Sequence, residues 1–77
     1  MPTTSTNREL GARIGLSHSS ISRIRHGQRL PSLAVMRAIE RELGWALADQ
    51  LKARDRFEKD NLAYAKALAR AERAAAA

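Results

Sequence analysis

Residues 6–32 read TNRELGARIGLSHSSISRIRHGQRLPS, and the spacing of glycines, hydroxyls and aliphatics in this stretch decides the fold. Thr6 is suited to N-cap a first helix, with Glu9 three positions on to complete a capping box. Leu10 and Ile14 then share one face. Gly15 stands just past the last apolar position, where a left-handed residue lets the chain turn sharply, and Leu16 fills that turn. Ser17 caps a second helix whose Ile21 and Ile24 point inward at i, i+3, and Gly27 closes it. Two short helices joined by a tight turn follow, with Leu10, Ile14, Leu16, Ile21 and Ile24 fixing their angle. Gly11 is small enough to let the second helix approach the first.

Downstream, QRLP is a connector and Ser32 caps a third helix whose stripe is Leu33, Met36, Ile39 and Leu43, stopped by Gly44. From Ala46 to Arg73 there is neither Gly nor Pro, so one long helix or two with a slight break is expected. Trp45, Leu47 and Leu51 form one apolar cluster there, and Phe57, Leu62, Tyr64, Ala65 and Leu68 a second, with the charged KARDR between them. Residues 1–5 read as a loose arm, and 74–77 as an end that frays. The expected domain organisation is a helix-turn-helix core with its arm over 1–45 and a helical extension over 46–77, within one small domain. The expected fold class is all-α, because aromatics make up only 4% of the 77 residues and the core must be aliphatic.

Charge points to a partner. Net charge is +6, and residues 1–31 carry five arginines against the single acid Glu9. That balance favours a polyanion such as nucleic acid. With Ile21 and Ile24 inward, the outward side of the second helix carries His18, Ser19, Ser22, Arg23 and His26, donors or switchable donor/acceptors sized for base edges and phosphates. No carboxylate stands among them to repel phosphate, and Ser17 and Ser19 add donors near a helix N-terminus.

The stretch 6–32, continued by LAVMRAIERELGW, resembles the phage repressor and Cro type helix-turn-helix (lambda repressor-like, XRE-type), without gaps over roughly 40 residues. The resemblance implies a small lambda-repressor-like domain, here with a long C-terminal helical extension, that binds double-stranded DNA with helix 18–26 in the major groove. It places His18 and Ser19 at the first two positions used for base contact, with Ser22 and Arg23 a turn later. Arg23 is the candidate for guanine, since its fork matches O6 and N7 together. Asn7 corresponds to a polar position that touches phosphate and braces the recognition helix. Thr6, Gln28 and Arg29 would add backbone contacts that set register without reading sequence, and Ser17 is a cap first with any phosphate contact secondary.

Family members usually carry another helix before the motif, whereas six residues precede Asn7 in this sequence. Two arrangements would cover the side so exposed. The C-terminal segment folds back, placing Phe57, Leu62, Tyr64 and Leu68 over Leu10, Ile14, Ile39 and Leu43. Alternatively it pairs with a second copy through Phe57, Asn61, Tyr64, Leu68 and Ala71, so the partners expected are duplex DNA and either a homodimer through 57–71 or none.

The plainer readings are structural. His18 and His26 are too far apart to share a metal as an i, i+4 pair does, and no metal is expected. His26 could instead serve the helix C-terminus, Arg25 could pair with an acid or touch phosphate, and Trp45 is core packing at a junction. Residues 49–60 alternate in sign, as a solvated face does. No catalytic constellation, cofactor motif, small-molecule substrate site or membrane-spanning run is present, so neither an enzyme nor a membrane protein is expected. The leading expectation is a repressor or Cro-like regulator in the cytoplasm of a bacterial host, on its nucleoid when bound. An excision factor, an antitoxin, or a protein-interaction module built on the same scaffold are the alternatives.

Overall fold

The computed structural model describes residues 5–76, so expectations for residues 1–4 and Ala77 lie outside the described residues. Among those described, all regular structure is helical: α1 Asn7–Ile14, α2 His18–Arg25, α3 Leu33–Leu43, α4 Leu47–Asp55 and α5 Ala63–Ala76. The far end of α5 is continuous through Ala76.

The first three helices begin where their hydroxyls direct. Thr6 Oγ1 accepts the Glu9 N–H at 3.1 Å, while Glu9 Oε1 accepts the Thr6 N–H at 3.4 Å, the reciprocal bonding of a capping box. Ser17 and Ser32 accept from the Ser20 and Val35 N–H groups, each at 3.3 Å. At the end of α2 the Gln28 N–H bonds the Arg23 carbonyl and the Gly27 N–H bonds the Ile24 carbonyl, a Schellman closure with Gly27 at φ +72°. Gly11 is buried, but what approaches it is the turn, not α2: a methyl there would overlap the Leu16 carbonyl.

Leu10, Ile14, Ile21, Ile24, Met36, Ile39, Tyr64 and Leu68 make the core, with Ala38 and Ala53. Leu16, Leu43, Trp45 and Leu47 pack partly against it. Three leucines expected inside are not: Leu33, Leu51 and Leu62. Leu33 is 47% exposed because it opens α3, a turn before that helix enters the core at Met36. Leu51 is 36% exposed because α4 turns Gln50 and Ala53 inward instead.

The expected slight break after α4 is a full reversal over residues 56–62. Asp60 Oδ1 accepts the Leu62 N–H at 3.0 Å and the Asp60 carbonyl accepts the Ala63 N–H at 3.0 Å, so Asp60 turns the chain into α5. α5 then folds back against α2, α3 and α4. Tyr64 and Leu68 are inside, whereas Leu62 is 38% exposed and Phe57 lies half-buried in the turn. The self-pairing seam through 57–71 is thereby corrected: Tyr64 and Leu68, its central residues, are 1% exposed within this molecule.

One polar residue ties the extension down. Gln50, fully buried, donates from Nε2 to the Met36 and Trp45 carbonyls at 2.8 and 2.9 Å, and its Oε1 accepts the Tyr64 hydroxyl at 2.8 Å. Every side-chain bonding direction that matters is filled, so its burial carries no desolvation debt. Trp45 leans on Tyr64 with ring centroids 5.1 Å apart, consistent with its expected packing role.

Candidate functional site

α2 is pinned from below and open above. Ile21 and Ile24 are buried on one side. At about 100° per residue, His18, Ser22, His26, Ser19 and Arg23 fan across the opposite side. His18, Ser19, Arg23 and His26 are exposed and Ser22 is half-buried. α2 contains no acid.

Several of these side chains are already oriented. His26 Nδ1 lies 2.8 Å from the Ser22 carbonyl; a carbonyl can only accept, so Nδ1 carries a proton and Nε2 is the nitrogen left free for a ligand. The expected service of His26 to the helix C-terminus is therefore present, and it aims the ring. Ser17 Oγ accepts the Ser20 N–H and donates to Ser20 Oγ at 3.0 Å, so its hydroxyl is fully engaged as a cap. Ser20 Oγ also accepts from Arg29 Nη1 at 3.2 Å, which steadies that guanidinium beside the N-terminal turn of α2. Gln28 is exposed beside it. No described hydrogen bond or ion pair fixes Arg23, which leaves its fork available.

Thr6 and Asn7 stand apart. Both begin α1, where Thr6 is exposed and Asn7 half-buried, and among the described residues no hydrogen bond joins either to α2. The Thr6 oxygen is an acceptor in its cap, so its hydroxyl proton is still available to a ligand.

Two residues that shape this surface escaped the sequence reading. Ser20 was signalled by its i+3 spacing from the cap Ser17. Glu72 had no local signal: it is 4% exposed, reached from 47 residues away, and accepts Arg25 Nη2 at 3.1 and 3.2 Å and the Ser5 N–H at 2.9 Å. Arg25 thus takes the acid-pairing role and is turned to the flank of α2 facing α5. Arg13, likewise, is drawn away to the Glu42 carbonyl at 2.9 Å. Glu72 of α5 is hence paired with a cation of α2, and the exposed arc, which holds no carboxylate, keeps its positive sign.

Nothing here is arranged to hold a metal: among the described residues no three of His, Cys, Asp and Glu converge. Surface recesses of about 370 and 440 Å³ lie along α4 and α5, away from α2. No described helix is long and apolar enough to cross a membrane. A family model described as Helix-turn-helix matches residues 5–49, which take in α1 to α3 and the start of α4. No curated protein and no solved structure matches the chain.

Proposed function

The chain belongs to the helix-turn-helix family of DNA-binding domains, and from that premise we propose that it is a sequence-specific regulator that lays α2 in the major groove of duplex DNA and represses by occupying its site. The observation that carries this reading is the outward arc of α2, where five donor or donor/acceptor side chains stand together with no carboxylate, on a helix whose inner face is locked by Ile21 and Ile24.

On that arc, Arg23 can bond guanine O6 and N7 as a fork, and Ser19 and His18 can read neighbouring base edges. His26, held by Ser22, presents Nε2 toward a base edge or phosphate. Arg29, Gln28, Asn7 and the Thr6 hydroxyl supply phosphate contacts that set register, joined by the first N–H groups of α2, which have no partner within the helix. Ser17 contributes as the cap that fixes the start of α2 and takes the Ser20 N–H, leaving those of His18 and Ser19 for phosphate. The site needs neither cofactor nor catalysis, and occupancy alone excludes other proteins from the bound segment.

Selecting bound duplexes from a random pool tests the reading. An enriched motif that disappears with Arg23→Ala supports it. Recovery of unbiased sequence by the wild-type protein would overturn it in favour of a protein-interaction module.

A further inference from the structure

We propose that the groove between α4 and α5 is a second nucleic-acid contact: a track for the sugar–phosphate backbone of a duplex segment other than the one α2 reads, so that one molecule holds two segments together. This rests on the DNA-binding reading of α2. Two recesses run along the groove and share Arg56 and Arg70 in their walls, making it continuous. Lys52 and Arg56, one turn apart, and Lys59 just beyond them line one bank; Lys66 and Arg70, one turn apart on α5, line the other. All five are exposed.

The acids lining the groove do not cancel this charge. They are Asp49 and Asp60, and Asp60 is already engaged by the Leu62 N–H at 3.0 Å and Lys66 Nζ at 3.2 Å, which hold its carboxyl below the usual carboxylate range. Among the described residues Lys52, Arg56, Lys59 and Arg70 have no ion-pair partner. Along the chain, residues 49–60 merely alternate in sign. Only the reversal at 56–62 brings Lys66 and Arg70 across from Lys52 and Arg56 and makes two facing rows of cations.

Shape and place favour a phosphate backbone. Side chains one helical turn apart stand about 5–6 Å from each other, a step comparable to that between successive phosphates of one strand. The floor is small and shallow, made of Ala53, Ala67 and Ala71, with Trp45 at one end. A second copy of this chain, at +6, would be repelled. α5 packs on both α2 and α4, while α2 and α4 share no contact among the described residues, so the groove lies across α5 from the recognition helix.

The test uses two short duplexes carrying the α2-selected site, one donor-labelled and one acceptor-labelled, with the full chain at about 0.15 M salt. Wild-type protein is expected to bring them into energy transfer. The variant R56Q/K59Q/R70Q, checked for unchanged helix content, should bind a single duplex within about twofold of wild type yet lose bridging by about tenfold or more. K59Q alone, in the turn, should weaken bridging and lower its salt slope by about 0.9, the value for one phosphate contact. A wild-type protein that binds one duplex and never two overturns the inference and leaves the α2 reading standing. So does bridging that the triple variant retains, the result expected of a dimer using two copies of α2. Groove amide shifts with poly-glutamate and none with duplex would overturn it too, marking a surface for acidic protein. Failure to bind any duplex removes the α2 reading and this one together.

Discussion

At the residue scale, the recognition surface separates side chains that read from side chains that hold. Arg23 is unrestrained, so Arg23→Ala should weaken a selected site by about 1–3 kcal/mol with little loss on unrelated duplexes. Arg29→Ala should weaken all duplexes alike and lower the salt slope by about 1; titrations of selected and scrambled duplexes across a salt series check both. The glycines make a second contrast. Gly15 and Gly27 both have φ near the left-handed minimum, at +78° and +72°, where an L-residue costs about 1–2 kcal/mol. A Cβ at Gly15 meets open space, whereas at Gly27 it would lie 2.6 Å from the Asn61 carbonyl oxygen. Urea melts should show Gly15→Ala losing about 1 kcal/mol and Gly27→Ala clearly more, since the start of α5 must also shift.

At the element scale, α5 is joined to the recognition helix by an ion pair with side chains 24% and 3% exposed, Arg25 and Glu72. Glu72→Gln keeps an acceptor for the Ser5 N–H but removes the charge that Arg25 faces. It should cost about 1–3 kcal/mol, less than a fully buried pair because Arg25 retains some water. Replacing both, Arg25→Met with Glu72→Leu, should cost less than Glu72→Gln alone, because no charge is then left without a partner. Equilibrium denaturation of the two variants decides the order. α1, α2 and α3 were legible in advance because each start is set by one residue and its own i+3 neighbour: Thr6 with Glu9, Ser17 with Ser20, Ser32 with Val35. α4 starts beside the expected Ala46, but its cap was not legible, since the Leu47 N–H is taken by Glu40 Oε2 of α3 at 2.7 Å, from outside the segment. The start of α5 did carry a local sign, Asp60 followed by Asn61, that helix propensity over 46–73 concealed.

At the scale of the whole molecule, Tyr64 is the sensitive point, being both the seal of the core and the only tyrosine of the chain. Burial pushes its hydroxyl well above the ordinary value of 10.0. A raised folded-state value means stability is complete below the unfolded value, about pH 10, and is lost as pH climbs from there toward the folded one. The urea midpoint should therefore hold to about pH 10 and fall above it, with tyrosinate absorbance appearing together with unfolding. Tyr64→Phe should blunt that alkaline fall while lowering stability at neutral pH by about 1–2 kcal/mol, since Gln50 Oε1 loses its donor. A tyrosinate signal that rises well before the unfolding transition would contradict the sealed position.

The sequence alone determined the helix starts at Thr6, Ser17 and Ser32, the inward positions of α1 and α2, and which side chains of α2 face out. Those features depend on neighbours within one or two turns, where spacing and capping chemistry act directly. The tertiary structure decided that α4 turns Gln50 rather than Leu51 inward, that α5 covers the core with Tyr64 and Leu68, and that Arg25, on the flank of α2, pairs with Glu72. Each of these joins residues tens of positions apart, and whether a glutamine or glutamate is costly or stabilising when buried depends on partners that only the folded chain supplies.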